Sequence, residues 1–258
     1  MLSQLKMLNK NTLSAAIAMA LLVSACGESS SSSSGEEYGD KTPIETGFDE
    51  GALITNLVDN VVTPTFESFV IKSTEQASLV DGYCLQEQAF ADGLATQTDV
   101  DNAKGEAKLG WNSAMETWQQ AEIMAMGPLL DNDSLLKNNI YSWPVVNSCA
   151  VDYDVVFFKG GVVNGAPYDI TKRTSSRKGL AALEYLLFND DLADSCETGS
   201  PEDWNNQSEG YRKVARCEFA TEVALDIVNS ANSLVTQWTA ADGYAAMLNQ
   251  AGNEGSEF

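Results

Sequence analysis

The sequence predicts an all-α fold in which helices run up and down in a bundle. Three observations support this prediction. Apolar residues recur at helical spacing through most of the chain after residue 48, and the pairs Gly127-Pro128 and Trp143-Pro144 end helical stretches. Apolar residues also make up 44% of the 258 residues, which is enough for a large buried core.

The predicted helices span residues 49–72, 73–91, 99–126, 133–141 and 207–239, with a short central helix at 177–188. Pro64 should kink the first of them, and Asp99 is placed to cap the third. Val151–Phe158 is an apolar run whose neighbours favour helix over strand. Residues 159–176 are rich in Gly, Asn and Thr and are predicted to form a long loop.

The central helix is apolar on almost every side and should therefore be buried. Its single acid, Glu184, lies four residues after Leu180 and three residues before Leu187. These spacings place the three side chains on one face, so Glu184 is predicted to point into the interior. A buried carboxylate needs a charged partner, a proton or a ligand, which makes Glu184 the leading candidate for a functional residue.

Two interpretations of this acid are open. Glu184 is either a metal ligand or general base, or a structural acid paired with Arg177 or Arg212. A second acid, Glu122, falls on the same helical stripe as Trp118, four residues earlier. For Glu122 the pattern favours a hydrogen bond to a neighbouring tryptophan or tyrosine over a functional role.

The net charge of −22 argues against nucleic-acid binding and against adsorption to anionic lipid. A uniformly acidic surface fits an extracytoplasmic domain. One local group of cations, Lys172, Arg173 and Arg177, stands out in the loop before the central helix. The sequence favours a solvated loop over an anion site for this group.

Residues 1–25 are predicted to be a lipoprotein signal peptide, because a basic start and a short apolar run lead to small residues before Cys26. Cys26 is the predicted lipidation site, the alternative being ordinary cleavage that leaves a free cysteine. Residues 26–47 are rich in Ser, Gly and Glu and are predicted to form a disordered tether. Residues 48–258 are predicted to form the folded domain. Gly27 favours the outer membrane, with the domain facing the periplasm or the cell surface.

The four remaining cysteines are an even number, compatible with two disulfides in an oxidising compartment. The predicted bridges are Cys84–Cys149 and Cys196–Cys217. The second would pin a polar loop to the last long helix and would contribute about 3 kcal/mol through loop-closure entropy. The other pairings stay open.

Gly179-x-x-x-x-Glu184, followed by Tyr-Leu-Leu-Phe, resembles the signature helix of the imelysin family, whose motif is Gly-x-His-x-x-Glu. The position of the motif histidine is Ala181 here, and the chain contains no histidine. This form resembles the family's His-lacking branch of periplasmic lipoproteins. The segment that contains Trp118 and Glu122 also resembles the family.

The resemblance implies a helical, lipid-anchored or secreted bacterial protein from a family that is named for metallopeptidases and often associated with iron uptake. Without histidine a zincin-like site cannot form, so the expected function is a non-enzymatic binding protein for metal or iron uptake. Glu184 and Glu122 are its metal or ligand candidates, since carboxylates alone can hold iron or calcium.

Two alternatives to this function are a metallopeptidase, as the family name implies, and a structural or interaction lipoprotein. The expected partners are a membrane, through the lipid anchor, and components of iron uptake. Family members usually continue into a second helical bundle, so the second bundle is expected to be incomplete in this chain.

Overall fold

The computed structural model describes residues 47–201 and 203–250. The predicted signal peptide, the lipidation site Cys26 and all but the end of the predicted tether lie outside the described residues. From Asp49 onward the described residues pack together as one unit. This unit is helical apart from a two-stranded sheet, which confirms the all-α bundle predicted from sequence.

The helices in chain order are α1 (Glu50–Leu57), α2 (Thr63–Ala91), α3 (Gln97–Ile123), α4 (Asp131–Ile140), α5 (Ser148–Gly160), α6 (Gly179–Phe188), α7 (Glu209–Thr239) and α8 (Tyr244–Leu248). A π-helical turn, Val58–Val62, joins α1 to α2. The strands β1 (Val162–Val163) and β2 (Ala166–Pro167) form an antiparallel hairpin. Short 3₁₀ turns lie at Gly127–Leu129, Ile170–Lys172, Ser175–Arg177 and Trp204–Asn206.

Three long helices form the frame of the bundle, because α2 packs along both α3 and α7. The central helix α6 lies against α7 and α3, and α5 lies against α7. Burial of aromatic side chains between these helices supplies much of the hydrophobic stabilisation. The largest fully buried aromatic side chains are Trp118, Trp204, Trp238, Phe66, Phe69 and Phe219.

The predicted break between residues 72 and 73 is wrong, because α2 runs without interruption from Thr63 to Ala91. Ser73 does not interrupt α2, because its hydroxyl donates a hydrogen bond to the carbonyl oxygen of Phe69 at 2.7 Å. Pro64 lies in the first turn of α2, where its missing N–H group is tolerated. The departure from regular α-helix lies just before Pro64, in the π-helical turn Val58–Val62.

Local capping chemistry sets the start of the long helices. Thr96 is the N-cap of α3, and its side chain and that of Asp99 form a reciprocal capping box. The prediction that Asp99 is the cap itself is therefore wrong by three residues. Ser208 caps α7 through a hydrogen bond from the backbone N–H of Tyr211 at 3.2 Å. The apolar run at 151–158 is helical, as predicted.

The predicted disulfide pairing is wrong. Cys84 of α2 is bonded to Cys217 of α7, and Cys149 of α5 is bonded to Cys196 in the loop after α6. Cys84 and Cys217 are 133 residues apart in sequence, yet both are buried where their helices pack, with Cα atoms 5.0 Å apart. Loop-closure entropy gives a stabilisation of about 5 kcal/mol for this bridge and about 4 kcal/mol for the other.

Candidate functional site

Gly179, the first residue of α6, allows this helix to approach the end of α4 closely. Its φ is +76°, a left-handed conformation that glycine adopts without strain. A Cβ atom at this position would lie 2.6 Å from the carbonyl oxygen of Asn139 and 2.7 Å from that of Ile140. Both distances are far below van der Waals contact. The motif glycine is therefore explained by backbone geometry.

The other two motif positions have opposite environments. Ala181, which stands at the position of the motif histidine, is only 4% exposed. Glu184 is exposed to solvent, so the prediction that it points into the interior is wrong. Both Leu180 and Leu187 are buried, as predicted, but a narrow exposed strip runs between them through Glu184 and Phe188. Apolar residues on nearly every side of α6 could not show which strip faces water.

The alternative role of Glu184, as the partner of an arginine, is also wrong. Arg177 Nη1 lies 3.0 Å from Asp154 Oδ2. Arg212 Nη1 donates to the carbonyl oxygen of Leu192 at 3.2 Å. Both guanidinium groups are therefore bound elsewhere.

Glu122 of α3 and Glu184 of α6 both act electrostatically on Tyr141. Burial, and then the negative charges of Glu184 and Glu122, raise the pKa of the Tyr141 hydroxyl. Lys137 Nζ lies 3.6 Å from Glu122 Oε1. We call these four residues, Glu122, Lys137, Tyr141 and Glu184, the Tyr141 patch. Trp118 is not the hydrogen-bond partner of Glu122, since its indole N–H is buried without an acceptor.

The Tyr141 patch offers two carboxylates and a phenol, which are the oxygen donors that iron(III) and calcium take. Two features count against a resident metal. Lys137 places a cation beside one of the carboxylates. Throughout residues 47–201 and 203–250, no group of three or more His, Cys, Asp or Glu side chains is arranged to hold a metal ion. The residues present therefore do not fit a tightly held metal.

Buried acids that the sequence did not single out lie on α5, next to the central helix. Asp154 is 0% exposed and accepts from Arg173 Nε at 2.6 Å and from Arg177 Nη1 at 3.0 Å. The side chains of these arginines are only 15% and 28% exposed. The prediction that they belong to a solvated loop is therefore wrong, because burial of one carboxylate draws both of them against α5.

A second buried acid, Asp152, organises a hydrogen-bond network between three segments. Arg216 Nη2 of α7 donates to Asp152 Oδ1 at 3.0 Å, and the Tyr185 hydroxyl of α6 donates to Oδ2 at 2.8 Å. The backbone N–H of Ser195 donates to the same Oδ2 at 2.8 Å. The sequence held one signal for this network, namely two acids inside an apolar run, each of which needs a partner if buried.

A third buried acid, Asp226 of α7, lies 3.2 Å from Lys178 Nζ. Burial raises the pKa of Asp226, whereas the ammonium group of Lys178 lowers it. Burial likewise raises the pKa of the neighbouring Glu222, followed by the charges of Asp226 and Asp169. The three acids Asp152, Asp154 and Asp226 are thus each paired with a cation, which is the signature of a structural role.

The fold and these sites define a disulfide-bonded helical-bundle protein that carries a Gly-x-x-x-x-Glu helix without the histidine. No helix in the described part of the chain combines the length and apolar character needed to cross a bilayer. The Imelysin family model, Peptidase_M75, matches residues 62–257. The chain belongs to the imelysin family.

One curated relative is iron-regulated protein A of Synechococcus elongatus (strain ATCC 33912 / PCC 7942 / FACHB-805). It is 25% identical over 215 residues, which cover 80% of this chain and 48% of the relative. The fold is similar to the crystal structure of a presumed iron-regulated protein A precursor from Parabacteroides distasonis ATCC 8503. That match has a TM-score of 0.51 at 20% identity and covers 78% of this chain and 50% of the other. The chain spans about half the length of these relatives.

Proposed function

We propose that this chain is a lipid-anchored binding protein of the bacterial cell envelope, that it serves iron uptake, and that it acts without hydrolysing peptides. Its similarity to iron-regulated protein A supports the link to iron. The two disulfides support an oxidising compartment, since cytosolic thiols are kept reduced. The lipid anchor at Cys26 rests on the sequence around that cysteine.

The main support for the non-enzymatic role is the environment of Ala181. A catalytic zinc usually takes three protein ligands, most often histidines with an acid. Ala181 has no donor atom and is packed in the core, and the chain contains no histidine. The motif acid Glu184 faces water, and within residues 47–201 and 203–250 it belongs to no group of three His, Cys, Asp or Glu side chains that could hold a metal.

The Tyr141 patch is the surface that we propose for recognition, with Glu184 and Glu122 as its ligand-contacting residues. Trp143 and Val145 follow Tyr141 in the chain and are 67% and 60% exposed. Exposed aromatic side chains are enriched at surfaces that bind a partner. In a role in iron uptake, such a surface would contact a basic partner or hold a hard cation loosely.

The test is cation binding by the purified full chain, measured by elemental analysis and by calorimetry with iron(III) and calcium. We expect weak binding that Glu184→Gln reduces several-fold and that Glu116→Gln leaves unchanged. Glu116 is an exposed acid of α3, the helix that also carries Glu122, so it controls for the loss of one negative charge. Equal affinity in all three proteins, or no binding by any, would remove the patch as a cation site and favour a structural or interaction role.

Peptidase activity is tested on the same preparation with a denatured protein substrate and added zinc. We expect no hydrolysis above the buffer rate. Hydrolysis that a chelator abolishes, and that co-purifies with the chain, would overturn the non-enzymatic part of the proposal and establish the metallopeptidase alternative.

A further inference from the structure

We infer that the chain carries an anion site between α5 and the loop after the β-hairpin, suited to a small oxyanion with two or three negative charges. The site is a cavity of about 420 Å³. We call it the basic pocket. Its wall includes Tyr153, Phe157, Lys172, Arg173, Thr174 and Arg177.

Charge distinguishes the basic pocket from its surroundings. Three cations line it, and none of the acids in the described part of the chain does. Two carboxylates lie behind them: Asp154 is bound to both arginines, and Asp169 Oδ2 lies 3.1 Å from Lys172 Nζ. Counting the lining cations and the carboxylates bound to them, three against two leave one net positive charge in a protein whose net charge is −22. An anion that approaches the protein is therefore favoured at this place over the acidic surface.

Burial of Asp154 orients the two guanidinium groups before any ligand arrives. Arg173 donates through Nε and Nη2 to Asp154, and Arg177 donates through Nη1 to Asp154 and to the carbonyl oxygen of Ala150. Within the described residues, Arg173 Nη1 and Arg177 Nη2 make no hydrogen bond. Guanidinium groups held in place by a buried carboxylate lose little side-chain entropy when they donate to a carboxylate or phosphate.

An aromatic wall completes the basic pocket. The Arg173 guanidinium carbon lies 5.7 Å from the centre of the Phe157 ring, and the rings of Tyr153 and Phe157 are 5.9 Å apart. The Tyr153 hydroxyl donates to the carbonyl oxygen of Gly199, which fixes the orientation of that ring. These contacts give the pocket an aromatic side that adjoins the Arg173 guanidinium.

A second cavity, of about 480 Å³, differs from the basic pocket because carboxylates line it together with its lysines. It also holds lysines, but Lys104 is paired with Asp190 at 2.7 Å and Lys213 with Glu209 at 2.7 Å, and all four side chains line the cavity. Glu87 lines it as well. An anion would have to displace these carboxylates, so this cavity carries no comparable inference.

The experiment is calorimetric titration of the full chain with citrate, a tricarboxylate, and separately with inorganic phosphate. We expect saturable binding with a stoichiometry of one that weakens as sodium chloride is added, because salt screens the charges. Lys172→Gln should weaken binding about three- to fivefold, as for the loss of one exposed charge contact. Thr174→Glu, which adds a carboxylate to the wall, should weaken binding more strongly.

Two control variants match these changes elsewhere on the surface. Lys72→Gln removes the same charge from a similar pair, since Lys72 lies 2.7 Å from Glu75, three residues away. Thr74→Glu adds the same charge on α2. Binding of citrate alone identifies a polycarboxylate site, and binding of both probes a general oxyanion site. Failure of both anions to bind, or equal weakening by pocket and control variants, overturns the inference.

The anion site stands apart from the cation-binding surface proposed above. Glu184→Gln removes a negative charge at the Tyr141 patch and should leave citrate and phosphate binding unchanged. Lys172→Gln should in turn leave binding of iron(III) and calcium unchanged. Each proposal can therefore fail without the other.

Discussion

Replacement of Gly179 by alanine should lower the free energy of unfolding by about 1–5 kcal/mol. The left-handed backbone at φ +76° costs a residue with a Cβ atom about 1–2 kcal/mol. The new methyl group would lie 2.6 Å from the carbonyl oxygen of Asn139, and overpacking of this kind costs about 1–3 kcal/mol. Alanine also restricts the unfolded chain, which offsets about 0.4–1 kcal/mol of the loss.

The assay is urea denaturation of the oxidised full chain, with the midpoint and the slope compared between variants. Gly105→Ala is the matched control. Gly105 lies within α3, and apart from the backbone of its own helix no described atom lies near the position of its Cβ, so alanine there should stabilise the protein by about 0.5–1 kcal/mol. A loss below about 1 kcal/mol for Gly179→Ala would refute the claim that backbone geometry explains the motif glycine.

Two further predictions concern the acids near the central helix. Arg216→Met should cost about 3–5 kcal/mol in urea denaturation, because it leaves the fully buried Asp152 without its cation, and Asp152→Asn in the same chain should recover part of the loss. Additive losses in the double variant would contradict this coupling. At pH 7 the variant Glu222→Gln should be more stable than the parent. Burial raises the pKa of Glu222, so the ionised carboxylate lowers the stability of the folded parent at this pH. This advantage should vanish near pH 3, well below the ordinary glutamate pKa, where the carboxyl group is protonated in both states, and an advantage that persists there would count against the assignment.

The sequence predicted the helices well where short-range chemistry controls them. The predicted end of the long third helix near Gly127-Pro128 and the start of the last long helix near Ser208 agree with the structure to within a few residues. Both depend on residues within one turn of the boundary. The break expected at residues 72–73 failed because Ser73 can bond back to the preceding turn and leave the helix intact.

The disulfide pairing and the exposure of Glu184 depend on tertiary contacts, which the sequence does not show. The pairing of Cys84 with Cys217 depends on which faces of α2 and α7 meet, and sequence proximity carries no information about that. The exposure of Glu184 has a similar origin, since a helix that is apolar on nearly every side has no unique inner face until its neighbours are in place.

The candidate acids were only partly predictable. The sequence singles out Glu122 and Glu184 on separate helices, and in the structure the charges of both act on Tyr141. Asp152 and Asp154 lie in an apolar run whose pattern indicates helix or strand but does not show that two acids in it are buried. Their partners come from distant segments, and no local pattern pairs an acid with an arginine 64 residues away.

The two disulfides also determine which parts of the chain stay covalently joined after a peptide bond is cut. Cys149 and Cys196 both lie between Cys84 and Cys217, so the smaller ring is nested within the larger one. A single peptide-bond cut anywhere from residue 84 to residue 217 opens a ring but separates nothing. A protease that reaches one of the loops in this span would leave one molecule of unchanged mass apart from the added water, and the fragments would part only after reduction.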